Sequence, residues 1–374
     1  MTFLRSWRRA AGITLTVLAA AACSDSTGPA NLSDPVALDA ELQAVEATMA
    51  TPVFAGFSAV SDYMSPTGAP ALSRAGALLR ATSPERLTDA QPAARSAAAA
   101  RELEAMVPVL AAPAGPIIPD AYYGKTYVWD TATGRYVEDP ARTGAPATGV
   151  RFVLYAIDPL TELPSEPLVE VGQADLIDES ADGTLSLHVV VESASGARHV
   201  DYTVSVTPGT ASFQASAAGF VGNGATGAAL RQLDFDVQFT ASETPTSADV
   251  QADAVMNLNN PSVSIELHDS AHREGNTWTF TRDFRFHRPG EVVTVEGTVT
   301  VTETAPGVYA VSGQVTVRVN GGVFARITLS NAGIQTDREL SPEERAVLVR
   351  LLDAVDDVWD AVEDFFHPAE NFVG

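Results

Sequence analysis

The chain has 374 residues, 45% of them hydrophobic, and sets 47 acidic against 23 basic side chains for a formal charge of −24. That balance argues against nucleic acid and anionic lipid surfaces as partners, because both would repel it. A chain this long holds one large domain or two smaller ones, and its single cysteine, Cys23, excludes an internal disulfide or a multi-thiolate metal site.

The first twelve residues, MTFLRSWRRAAG, contribute Arg5, Arg8 and Arg9 and no acid, and an apolar run at 13–22 follows, ending in alanines. A basic start, a short apolar stretch and small closing residues describe an export signal over residues 1–22. The run is shorter than the ~20 apolar residues a membrane-spanning helix needs. The string LAAAAC at 18–23 resembles the lipobox of bacterial lipoproteins, with Ala20 where that pattern usually carries Leu. The resemblance covers only the first two dozen residues. It implies cleavage before Cys23, a diacylglycerol on the Cys23 thiol and stable anchoring by several acyl chains, where one chain alone binds marginally. Ser24, a non-acidic residue, implies by the same resemblance sorting to the outer membrane of a Gram-negative-type bacterium. The expected partner is a membrane, reached through lipid on Cys23.

Residues 23–34 are polar and turn-rich and read as a tether. Ser33 or Asp34 then caps a helix opened by Pro35, with Leu38, Leu42, Val45 and Met49 on one face. Phe54, Phe57, Val60 and Met64 continue that spacing, and alanine-rich stretches follow at 71–81 and 93–107. Alanine favours helix but supplies little core. Residues 35–110 are thus a helical segment, and 111–120 a proline-rich linker to a β domain at 121–335.

From Tyr122 the period changes to two. Residues 125–129 and 135–138 flank Thr133-Gly134 as a hairpin. The run 150–157 is apolar on both faces, as a covered strand requires. Leu185 to Val191, Val200 to Val206 and Leu233 to Phe239 alternate apolar with polar residues. Four more strands carry Trp278, Phe280, Phe284 and Phe286; then Val293, Val295, Val299 and Val301; then Val311, Val315, Val317 and Val319; then Val323, Ala325, Ile327 and Leu329. Short turns between them permit only antiparallel neighbours. Ser341-Pro342-Glu343-Glu344 is a capping box that starts a C-terminal helix at 341–367, with Leu348, Leu351, Leu352, Val355, Trp359 and Val362 as its apolar stripe. That stripe and the apolar sheet face bury most simply against each other.

Few motifs carry chemistry. Gly222, Gly224 and Gly227 match G-x-G-x-x-G, but the next strand begins at Leu233, too soon for the helix that nucleotide binding requires; a hairpin loop fits better. Asp178, Ser180 and Asp182, followed by Gly183, resemble the start of a calcium loop, yet Val189 stands where the bidentate Glu is needed. Asp182-Gly183 also suits a tight hairpin turn. Glu266, His268 and His272 form a local polar group without recognisable metal-ligand spacing. Arg282 interrupts the aromatic stripe, either as a stem with its head in water or as an anchor inside a ligand cavity lined by Trp278, Phe280, Phe284 and Phe286.

The fold expected is α+β: an N-terminal helical segment, a large antiparallel meander sheet shaped as a half-barrel or barrel, and a C-terminal amphipathic helix. In architecture alone this is similar to the half-barrel carriers of lipoproteins in Gram-negative envelopes. The expected function is non-enzymatic, without cofactor: an envelope lipoprotein that binds an apolar ligand or another envelope protein between sheet and helices. The alternative is an exported hydrolase or metal-dependent enzyme whose site is assembled from distant residues.

Overall fold

The computed structural model describes residues 30–49, 53, 57 and 117–351, except 159, 162, 210, 245 and 347. Residues 1–29 with Cys23, the alanine-rich stretches at 71–81 and 93–107, the linker at 111–116 and the C-terminal residues past 351 lie outside them. No helix among the described residues is long and apolar enough to cross a membrane.

A single fifteen-stranded sheet dominates. Its first strands are β1 (Lys125–Asp130), β2 (Arg135–Glu138), β3 (Gly149–Tyr155), β4 (Glu170–Asp178), β5 (Leu185–Ser193), β6 (Arg198–Pro208), β7 (Ser212–Gly222) and β8 (Gln232–Glu243). There follow β9 (Ser247–Leu258), β10 (Val263–Glu274), β11 (Thr277–Arg288), β12 (Glu291–Ala305), β13 (Val308–Val319), β14 (Gly322–Ser330) and β15 (Gly333–Thr336). From β3 to β15 each strand pairs with the next in sequence, antiparallel throughout. Short turns leave no other choice. The one departure from the expected meander lies at its start. The β1–β2 hairpin places β2 on the outer edge, so β3 pairs with β1 in parallel, Lys125 opposite Val150 and Tyr127 opposite Phe152. Neither edge strand pairs with the other, so the sheet is open and the closed-barrel expectation is corrected.

Alternation decides which face is buried. On β8, Leu233, Phe235, Val237, Phe239 and Ala241 point to the core while Asp234, Asp236, Gln238 and Thr240 face out. This period of two runs through β4–β13 and builds one continuous core. Beside β8, the inward residues of β7 and β9 include Ala215, Ala217, Ala248, Ala252 and Ala254. Helix α1 (Pro35–Met49) packs against β7 and β8, burying Leu38, Leu42 and Val45. The alanine rows leave it room. Asp34 caps it, its Oδ1 accepting from the Ala37 amide at 2.9 Å.

At the other end of the chain, residues 342–346 and 348–351 are helical (α2). The capping box forms as expected: the Ser341 amide donates to Glu344 at 2.9 Å and the Glu344 amide to the Ser341 hydroxyl at 3.1 Å. Leu348 and Leu351 enter the same core as α1, and Arg350 donates to Asp39 on α1 at 2.9 Å. Both chain ends therefore contribute helix to the covered face. The β3 corner differs. Val150, Phe152 and Leu154 face the main core, while Val153 and Tyr155 join Trp129 in a second cluster on the opposite face, covered partly by Leu163 and Leu168.

Candidate functional site

The aromatic strand lies where alternation put it. Trp278, Phe280, Phe284 and Phe286 on β11 are all buried on the covered face, with Trp278 and Phe280 stacked at 6.1 Å. Arg282 is buried among them, 8% exposed, and neither expected role describes it. Opposite it in register on β10 stands Asp269, 1% exposed. The Arg282 Nε donates to both carboxylate oxygens at 3.1 Å, and a terminal nitrogen to Oδ2 at 2.8 Å. The guanidinium thus has its counter-ion beside it, which an apolar interior demands of any charge. The sequence held the missed signal: Ile265, Leu267, Asp269 and Ala271 share one parity on β10, so Asp269 had to face inward.

The calcium-loop residues sit at the β4–β5 turn, and hydrogen bonds give them structural work. Asp178 accepts from the Ile118 amide at 3.0 Å, the Tyr123 hydroxyl at 3.2 Å and the Ser180 amide at 2.9 Å. Burial, then the nearby Asp178 carboxylate, pushes the Tyr123 phenol up to about 12. Ser180 accepts from the Ser186 amide at 3.0 Å. Asp182 and Gly183 have φ of 52° and 81°, the paired positive values of a type I′ hairpin. Among the described residues, no three His, Cys, Asp or Glu side chains are grouped to hold a metal ion.

Gly222 ends β7, opposite Gln232 on β8, and Gly224 and Gly227 lie in the β7–β8 loop. Its conformation is fixed by Asn223, whose amide oxygen accepts from the Ala225 and Arg231 amides and whose nitrogen donates to the Ala229 carbonyl. Gly224 rests on the ring of His199, which burial holds below the ordinary histidine range.

The outward face carries the remaining described histidines, each beside a carboxylate. His268 meets Asp253, His272 meets Asp249 at 2.6 Å, His188 meets Asp201 at 2.8 Å, and His287 lies 3.7 Å from Glu266. No serine or threonine hydroxyl is hydrogen-bonded to these rings among the described residues. Two depressions open on this face. One of about 240 Å³ surrounds the exposed Val255 with Glu266, His268, Asp283 and Arg285. The other, about 500 Å³, lies at the strand ends between Asn257, Asn259, Ser262, Ser264 and His287.

A further polar centre was not legible in the sequence: a clasp between the start of the described chain and the β11–β12 turn. The Ala30 amide donates to the Val323 carbonyl on β14 at 3.0 Å. The Ser33 amide donates to Glu291 at 2.7 Å. Arg288 donates to Glu291, to the Ser33 hydroxyl and the Asp34 carbonyl at 3.1 Å, and to Glu41 at 3.3 Å. The side chains of Arg288 and Glu291 are nearly sealed from solvent. Burial pushes the Glu291 carboxyl up, but its bonds to Ser33 and Arg288 outweigh burial and hold it below the ordinary range. Only the Pro289-Gly290 turn could be read beforehand; its partners lie some 250 residues away, beyond any local pattern.

No family model, no curated protein and no solved structure matches this chain.

Proposed function

We propose that the protein is an exported envelope lipoprotein, anchored through lipid on Cys23, whose folded part binds an apolar molecule or another envelope component rather than catalysing a reaction. One observation carries the reading. A single apolar face runs across most of the open sheet and is covered, among the described residues, by α1 and α2 rather than by a second sheet. A short helix is held on the sheet by side-chain packing alone, and an open sheet this wide tends to curl, as a half-barrel does. Small inward alanines beside α1 favour exchange of helix for guest. With Asp269 already neutralising Arg282, the interior suits an uncharged or purely hydrocarbon guest better than an anionic one.

The test has two arms. Replacing Cys23→Ser should release the protein from membranes and abolish metabolic palmitate labelling; undiminished membrane retention would overturn the anchor. Titration of the mature chain with an environment-sensitive, uncharged hydrocarbon probe should saturate, and Phe284→Asp should abolish uptake. A folded protein with no saturable uptake would leave partner docking as the remaining role.

A further inference from the structure

Across the outward face of the sheet runs a row of side chains that carries no charge. Thr207 on β6 stands opposite Gln214 on β7, and Gln214 opposite Thr240 on β8. The register continues through Gln251 on β9, Ser270 on β10, Thr281 on β11 and Thr298 on β12. Gln314, Thr328 and Gln335 complete it on β13, β14 and β15. Every strand from β6 to β15 thus places a hydroxyl or an amide at the same level, and all but the half-buried Ser270 are exposed. The row two residues away on one side is different, holding Asp253, His268, Asp283, Glu296 and Arg326. On the other side Asp249 and His272 give way to Thr279, Thr300, Ser312 and Ser330, so the uncharged band widens from β11 onward.

Threonine suits an exposed strand, and cross-strand hydroxyl pairs can stabilise a sheet. This row is not spent that way. Among the described residues of the row, only Thr207, to Thr184 at 3.0 Å, and Gln251, to Asp253 at 2.8 Å, use their side chains in hydrogen bonds within the protein. On β11 and β12, Thr277 and Thr302 do meet, at 3.1 Å. Thr281 and Thr298, a cross-strand pair of the same kind on the same two strands, do not. The charged row beside them is the reverse: His268 takes Asp253, and Arg285 takes Asp283.

This geometry selects a linear partner. Successive strands at about 4.8 Å make the row roughly 43 Å long. Neighbouring strands turn by roughly 20–25°, so a flat rigid surface would touch only part of the row, whereas a flexible chain can follow all of it. Hydroxyls and amides both donate and accept, which matches a polymer built of hydroxyls. A neutral chain laid along the row covers no charge, and so avoids the desolvation that covering the flanking carboxylates would cost. An anionic chain would lie beside Asp253, Asp283 and Glu296 with no cation in the row to offset them. The row holds no aromatic ring on which a sugar could stack, so the grip rests on hydrogen bonds. Each of these adds little net, and length must multiply them.

We propose that this row is a binding track for an extended, uncharged polysaccharide, lying across the strands on the face opposite α1 and α2. It is independent of any guest on the covered face and of lipid on Cys23.

The experiment takes the full chain, in a polyoxyethylene detergent whose headgroup carries no sugar, through native gels cast with hydroxyethylcellulose, glucomannan or polygalacturonate. At least one of the two neutral polymers should retard it several-fold more than the anionic one. Cellohexaose, which covers only part of the row, should compete far less well than free polymer. The triple variant Thr240→Val, Thr281→Val, Thr298→Val keeps side-chain shape and strand preference while removing hydroxyls, and should lose most of the retardation. Thr203→Val with Ser264→Ala, on the same face but off the row, should keep it. Circular dichroism establishes that each variant is folded. No retardation by either neutral polymer, or equal retardation by polygalacturonate, would overturn the partner's chemistry. Competition by cellohexaose as strong as by polymer, a folded triple variant that binds like the parent, or equal loss in the off-row variant would overturn the track.

Discussion

The two faces of the sheet solve the problem of charge in opposite ways. On the covered face of β10 and β11, one arginine and one aspartate stand in register, both buried and joined by three hydrogen bonds. On the outward face of the same two strands and β9, charges are plentiful, half-exposed and paired one to one, as His268 with Asp253 and Arg285 with Asp283. Inside, a charge survives only with its counter-ion, and each partner depends on the other. Outside, water screens every pair, and none is indispensable.

Breaking the inner pair has the largest expected effect. Asp269→Ala strips the carboxylate from a buried guanidinium and should destabilise the fold by about 3–5 kcal/mol. The double variant Asp269→Leu with Arg282→Met should recover most of that loss, because it removes both charges together. Urea unfolding midpoints read both, and a double variant no better than the single would break the contrast drawn here. Phe284→Ala, two residues along the same face, should cost about 3–5 kcal/mol by opening a cavity.

A middle-sized effect belongs to the clasp. Glu291 is held below its unfolded value, so its contribution is fully present above the ordinary glutamate range near ~4.3 and fades as pH falls through the folded-state value. Glu291→Gln should lower stability at neutral pH and flatten its acid-side slope; an unchanged slope would mean the clasp is incidental. Smallest of all, His268→Ala on the outward face should shift stability by at most about 1 kcal/mol.

Much of the sheet was legible because large apolar side chains mark the inward parity, as in Leu233 to Phe239 and Trp278 to Phe286. Strands β7 and β9 were not, because alanine fills inward positions beside α1 and alanine announces no period. Gly219 on β7 hides the pattern further. A Cβ there would overlap the backbone of Asp201 and Tyr202, so the position is left bare beneath the buried Tyr202 ring. On β14 the alternation itself breaks: a register shift near Val317 buries Phe324 beside Ala325 and leaves Val323 only half-buried. The parallel β1–β3 pairing also escaped, since nothing local shows that a hairpin will be stepped over. That Trp278, Phe280, Phe284 and Phe286 share the covered face was legible, whereas the role of Arg282 needed its cross-strand neighbour. The clasp was invisible to any windowed pattern.

The clasp also bears on the order in which the chain can take shape. Every strand from β4 onward finds a partner in its immediate predecessor, so the sheet can assemble strand by strand as the polypeptide emerges amino end first. The segment from Ala30 to Glu41 is synthesised early, yet its hydrogen-bonding partners are Arg288, Glu291 and Val323, and α1 bonds to Arg350. Helix α1, made early, is thus among the last of the described elements to be seated. Closing that long loop costs chain entropy and can be repaid only after nearly the whole protein has arrived. Until then its apolar stripe of Leu38, Leu42 and Val45 stands uncovered, a waiting surface for whatever escorts the unfinished chain.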